Sequence, residues 1–239
     1  MTPVDIFIAS YLRDQYTEAT LGFLKRRTKY PHRTFLLDNG GNERLKDQVD
    51  IYVGMGTNLG IHALWNIAAA LAESPYMVTS DNDIFVPNLD PDWLTQLVKF
   101  MDERPEYGAI SLHPHVFIGA AGIDPEDPED VKERNMAGAV MRIMRTQAVR
   151  DVGGWEHVIS AGRNHEERTI CSRLQSHGLK VGICSRIRAY HPFGKDVGGN
   201  WGYPAWFTPE MQKHNPQLAE EVLRFDNPDS YDVNSWMPK

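Results

Sequence analysis

Short apolar runs alternate along the first hundred residues with longer stretches whose apolar positions recur every three or four residues. Val4, Ile6, Phe7 and Ile8 predict a buried strand that ends at Ala9, Ser10 and Tyr11. The stretch 16–28 has helix-compatible spacing at Ala19, Leu21, Phe23 and Leu24 and is stopped before Pro31. Thr34, Phe35, Leu36 and Leu37 predict a second strand, broken at Asp38, Asn39, Gly40 and Gly41, and Ile51, Tyr52 and Val53 a third, ended by Gly54 and Gly56. Asn58 then stands as the cap of a helix from about Gly60 to Glu73, with Ile61, Leu64, Trp65, Ala68 and Leu71 on one face. A further apolar run, Tyr76 to Thr79, stops at Ser80, Asp81, Asn82 and Asp83, and a helix over 91–101 follows, opened by Asp90 with Pro91 at its first position.

This βαβαβ succession predicts an α/β fold with a mainly parallel central sheet flanked by helices, whose ligands sit beyond the carboxyl ends of the strands. Tyr11, Asp38, Asp81 and Asp83 all fall at such ends. The second half is mixed. Strands are predicted over 108–112, 138–144 and 180–187, a short helix and the turn Gly153, Gly154, Trp155 follow the second of these, and a helix over 168–177 turns Ile170, Cys171 and Leu174 inward. The stretch 119–134, with Pro125, Pro128 and six acidic residues, predicts an exposed loop. Beyond Pro192, Gly, Pro and Trp recur without a clear period.

Composition adds bounds. At 239 residues, 41% hydrophobic and 24% charged, the chain has the make-up of a soluble globular protein with one sizeable core. Its net charge of −7 gives no general attraction to nucleic acid or to anionic lipid. Cys171 and Cys184 have no metal-ligand spacing around them and read as buried thiols of a reducing compartment. With no signal-peptide pattern at the start and no apolar run of about 18 residues, the expectation is a cytoplasmic protein without an integral membrane segment.

The chemistry concentrates at the end of the fourth predicted strand. Strand side chains alternate with period two, so Asp81 and Asp83 are delivered toward one face of a sheet edge. Like charges so close need a compensating partner, which is a divalent cation, a base or a substrate, and this is a place to hold the cation.

The ordered set LLDNGG, NLG with Asn66 downstream, SDND, VGGWE, HEERTICSRL and AYHPFG resembles the A-type nucleotide-sugar glycosyltransferases, in particular glycosyltransferase family 2, over roughly residues 4 to 194. The resemblance implies the Rossmann-like GT-A fold in a single domain over 1–239: a nucleotide-binding half (4–101), an acceptor and catalytic half (102–194), and a C-terminal loop and tail (195–239). It assigns Asp81 and Asp83 to the DxD motif that holds Mn²⁺ or Mg²⁺ against the donor diphosphate, Asp83 as direct ligand and Asp81 nearer the ribose or a metal-bound water. It makes His191 a further metal ligand. Asp38 would accept the ring N–H of a pyrimidine base on which Tyr11 stacks, although the serine of the family's DNGS-like segment is missing here. Arg13, Arg163 and Lys195 become diphosphate contacts, Lys195 in a glycine-rich loop closing over the donor. Glu166 and Glu167 occupy the place of the family's catalytic carboxylate, either being the base that takes the acceptor hydroxyl proton. Trp155 would border the acceptor.

The implied activity is metal-dependent transfer of a sugar from a nucleoside diphosphate donor of the UDP or GDP type to an acceptor hydroxyl, with inversion. Two rivals stand beside it. A nucleotidyltransferase also uses a parallel sheet with paired acids, but its Gly-rich loop after the first strand is lacking in Ser10 to Gln15. A non-catalytic nucleotide- or carbohydrate-binding module would keep the fold without turnover. The acceptor stays open, with the loop 121–134 and Trp201, Tyr203, Trp206, Phe207 and Trp236 as candidate contacts.

Overall fold

The computed structural model describes residues 2–11, 14–40, 43–115, 122–123, 130–155 and 165–191. Among the described residues nine strands form one sheet: β1 Val4–Ser10, β2 His32–Asp38, β3 Ile51–Gly54, β4 Tyr76–Asp81, β5 Tyr107–His115, β6 Gly122–Ile123, β7 Lys132–Glu133, β8 Arg142–Arg145 and β9 Lys180–Tyr190. Their order is β3-β2-β1-β4-β8-β5-β9-β6, with β7 also on β9. The block β3, β2, β1, β4 is parallel. Antiparallel β8 then separates β4 from β5, and β5 runs parallel to β9. A parallel half joined to a mixed half is what the alternation of runs predicts.

The helices of the described residues cover the sheet: α1 Asp14–Arg27, α2 Ile61–Leu71, α3 Trp93–Glu103, α4 Thr146–Asp151 and α5 His165–Ser176. Period-two alternation splits the core. Ile6 and Ile8 of β1 face α1 and α3 through Phe23, Leu24, Trp93 and Leu97, while Phe7 and Ala9 face the layer of α2, α4 and α5 through Trp65, Val149, Ile170 and Leu174. Because both faces are covered, β1 is buried along its whole length.

Several local expectations are corrected. The third helix begins at Trp93, not at Pro91, because the Asp92 carboxylate accepts from the main-chain N–H groups of Leu94 (3.1 Å) and Thr95 (3.4 Å) and so caps it. Asn58 does not cap α2: its Oδ1 accepts from Gly60 N–H and from Asn39 Nδ2, bracing two loops instead. The loop read over 119–134 contributes two short strands, β6 and β7, that pair with β9. A 3-10 turn over Glu43–Gln48, with Leu45 buried, has no counterpart in the sequence reading.

Candidate active site

The strand ends Ser10, Asp38 and Asp81 lie side by side, because Ser10 is in register with Asp38 and Ala9 with Asp81. Asp81 is partly buried and donates its main-chain N–H to Ala139 O at 3.0 Å. The next residue, Asn82, is held by α1. Asn82 Nδ2 donates to Thr17 Oγ1 (2.8 Å), and Thr20 Oγ1 donates to Asn82 O (2.8 Å). The two threonines are one helical turn apart and so share a face. Thr17 Oγ1 also bonds Ser10 Oγ at 2.9 Å, which ties the end of β1 to the same loop.

Asp83 is sealed from solvent. Two residues on, Phe85 forms a reciprocal main-chain bridge with Tyr190, Phe85 N–H to Tyr190 O at 2.9 Å and Tyr190 N–H to Phe85 O at 3.0 Å. That bridge brings the end of β9 to the acidic loop. His191, the following residue, places Nε2 at 3.4 Å from Asp83 Oδ1.

The acids of α5 complete the edge, and the two neighbours are used differently. Glu166 Oε2 accepts from Arg142 Nη2 and from Trp155 Nε1, each at 3.2 Å. Arg142 is fully buried and spans several elements, donating Nε to Thr79 Oγ1 of β4 (3.1 Å) and Nη1 to Ala137 O (3.0 Å). Glu167 instead turns Oε1 to Ala139 N–H at 3.3 Å, the same residue whose carbonyl receives the N–H of Asp81. Gly138 leaves room for it, since a Cβ there would stand 3.2 Å from Glu167 Oε1.

Electrostatics follow from this crowding. Burial raises the Asp81 carboxyl well above its ordinary value, and the charges of Asp83, Glu166 and Glu167 push it further up, with Arg142 pulling against them. Burial and the adjacent Glu166 likewise raise Glu167, opposed by Arg142, the Ala139 N–H and His191. A region with these carboxylates and one buried guanidinium favours a cation.

The donor set fits one. Among the described residues no three His, Cys, Asp or Glu side chains close around a point as a self-sufficient metal site would. The Asp83 oxygen and His191 nitrogen, however, are separated by 3.4 Å, within a few tenths of an ångström of the ~3.0 Å between adjacent octahedral ligands with bonds of ~2.1 Å. Two protein ligands fill only part of such a coordination shell, and the rest would have to come from oxygens of a ligand.

Beside the acids, Asp38 is buried and fixed: Tyr52 Oη donates to Oδ2 at 2.7 Å and Gly40 N–H to Oδ1 at 2.9 Å. Burial and Asp38 both raise the Tyr52 phenol, so it remains a donor. Tyr11, at the neighbouring strand end, is 38% exposed, as a stacking ring would need to be.

Trp155 calls for a correction. At 2% exposure its ring offers no open face to an acceptor; its indole N–H is directed to Glu166 and its ring packs in the α2/α5 core. Arg13, Arg163, Lys195 and the aromatic residues from Trp201 onward lie outside the described residues. Arg142 and Tyr52 were missed by sequence reasoning. The one available signal for Arg142 was a lone cation inside the apolar run Ala139 to Met144.

The architecture is the GT-A fold. Solved structures share the architecture at low identity. A mannosyltransferase from Pyrobaculum calidifontis, in complex with GDP-Man and Mn²⁺, has 13% identity and a TM-score of 0.64 over 98% of this chain and 73% of its own. TarS 1–349 of S. aureus in complex with UDP has 13% identity and a TM-score of 0.61 over 99% of this chain and 75% of its own. GalNAc-T7 with UDP, GalNAc and Mn²⁺ has 12% identity and a TM-score of 0.65 over 98% of this chain and 58% of its own. No curated protein matches the sequence. The model of glycosyl transferase family 2 matches residues 5–156, and the chain belongs to that family. It is a glycosyltransferase.

Proposed function

We propose that this glycosyltransferase moves a sugar from a UDP- or GDP-linked donor to an acceptor hydroxyl in one inverting displacement that depends on Mn²⁺ or Mg²⁺. The observation that carries the reading is the convergence of Asp81, Asp83, His191 and Glu167 from β4, β9 and α5 at one sheet edge. Solved relatives in fold carry GDP-Man or UDP, two of them with Mn²⁺, which supports the donor class and the metal.

In this reading Asp83 and His191 hold the cation, with Asp81 beside it toward the ribose. A divalent ion held by these residues would supply positive charge to offset the charge that gathers on the departing diphosphate. Asp38 accepts an N–H of the nucleobase, held in place by Tyr52, and Tyr11 covers the base. Arg13 and Lys195 are assigned to the diphosphate on the sequence pattern alone. Glu167 takes the proton of the acceptor hydroxyl as that oxygen bonds to the anomeric carbon. The carbon–oxygen bond to the diphosphate breaks on the opposite face and its electron pair leaves with the nucleotide. A raised carboxyl suits this work, because a base is most useful with a pKa near the working pH. Glu166, already bonded to Arg142 and Trp155, is less available for the proton than its neighbour.

The test is turnover of UDP-glucose, UDP-GlcNAc, UDP-galactose and GDP-mannose with Mn²⁺, with Mg²⁺ and with EDTA, read by mass spectrometry. Metal-dependent release of UDP or GDP from at least one donor supports the reading. Donor left intact under every condition contradicts it.

A further inference from the structure

Asn66, on α2, makes a two-way contact with the main-chain N–H and C=O of one residue, Trp155, at the end of the Gly153–Gly154–Trp155 turn. Its Oδ1 accepts from Trp155 N–H at 2.8 Å, and its Nδ2 donates to Trp155 O at 2.9 Å. An asparagine amide is matched to this arrangement, since it carries a donor and an acceptor side by side. The turn is shaped around it. Gly154 has φ 65°, and a Cβ there would overlap Asn66 Oδ1. Asn66 thus explains why the second glycine stands before the tryptophan.

The clamp continues toward the acids. With its main chain held by Asn66, Trp155 directs Nε1 to Glu166 Oε2 at 3.2 Å, the same oxygen that receives Arg142 Nη2. The Arg142 guanidinium also lies 5.6 Å from the Trp155 ring centroid. Glu166 is therefore gripped from two sides, and Glu167 follows it directly in the first turn of α5. Fixing one residue of a helical turn fixes the direction of the next.

We infer that Asn66 is a positioning residue for transfer: through Trp155 and Glu166 it sets the first turn of α5 and hence where the Glu167 carboxylate stands. This rests on the reading of Glu167 as the base. Asn66 itself touches no reacting atom in this scheme. Its loss should leave donor binding alone and slow the chemical step, because small misplacements of a reacting group are costly.

The experiment is a kinetic double-mutant cycle on the full chain, with the donor that turns over fastest among the four sugars named above. Asn66→Ala is expected to lower kcat by roughly 10- to 100-fold while donor KM stays within about twofold. In the Glu167→Gln background the same change should have no further effect, since the group it positions is already disabled. Trp155→Phe, which keeps a packed ring and removes only the indole N–H, should show the same non-additivity and covers the case in which Asn66→Ala does not fold. Equal proportional losses in both backgrounds, or a raised KM with unchanged kcat, would overturn the inference while leaving the base assignment intact. Wild-type kcat in Glu167→Gln alone would overturn the base assignment, and the inference with it.

Discussion

His191 Nε2 stands 3.4 Å from Asp83 Oδ1, with both side chains sealed from solvent. Nothing local in the sequence brings them together; the main-chain bridge between Phe85 and Tyr190 does. If the pair grips a cation, His191→Ala removes one of the two protein ligands that face it. Half-maximal activation by Mn²⁺ should then need at least about 10- to 100-fold more metal, the range already seen for loss of a residue that only supports a ligand, whereas the acceptor KM should hardly change. A titration of initial rate against Mn²⁺ reads both.

Glu166 and Glu167 should separate sharply on substitution. Glu167→Gln is expected to lower kcat by roughly 100- to 10,000-fold, the range of general base catalysis. Glu166→Gln removes the charge facing Arg142 but keeps one oxygen able to accept from both Arg142 and Trp155, as Oε2 does now, and should lose less. Because burial and Glu166 raise the Glu167 carboxyl, the acid limb of the kcat profile should lie above the ordinary glutamate range. Activity is lost as pH falls through that raised value, where the base becomes protonated. Steady-state rates between pH 5 and 9 check the sign.

Asn82 is the unglamorous middle of the acidic triplet, yet α1 holds it through Thr17 and Thr20. Thr17→Val removes its bonds to Asn82 and to Ser10 while keeping the branched shape, at a cost of about 1–2 kcal/mol in stability. The metal requirement should rise with it, because the loop bearing Asp81 and Asp83 is then less fixed. Parallel urea unfolding and Mn²⁺ activation curves measure the two effects.

Asp5 anchors the opposite end of the sheet. It is fully buried, bonded to Arg33 Nε (2.8 Å) and Nη2 (3.0 Å), and accepts from the N–H groups of Glu73 and Ser74. Burial alone would raise its carboxyl, but these donors together outweigh burial and hold it below the ordinary value. Its contribution to stability is therefore full above the unfolded-state pKa and disappears as pH falls through the lower folded value. Asp5→Ala leaves the Glu73 and Ser74 N–H groups without their acceptor and should cost about 1–3 kcal/mol at neutral pH, and the difference from wild type should shrink below about pH 4. Thermal unfolding at pH 7 and at pH 3 tests it.

The parallel half of the fold was legible because its strands are short apolar runs closed by polar or glycine residues, as at Asp38, Gly54 and Asp81. Asp81, Asp83 and Asp38 could be placed from sequence since strand ends are local features. Contacts such as Asp83 to His191 or Arg142 to Glu166 depend on how β8, β9 and α5 pack, which no local period encodes. Met141 illustrates the limit: its φ of 46° turns the chain just before Arg142, and Met has no sequence preference for that conformation. Trp155 shows a related limit: a tryptophan after a glycine turn can border a sugar but more often packs in a core, and only its burial distinguishes the two.

Calorimetric titration of UDP and of GDP into the protein, with and without Mn²⁺, tests the central claim most directly. The account expects one nucleotide to bind at least about 100-fold more tightly with Mn²⁺ present, and Asp83→Asn to abolish that difference while the fold persists. Nucleotide affinity indifferent both to Mn²⁺ and to Asp83→Asn would contradict it.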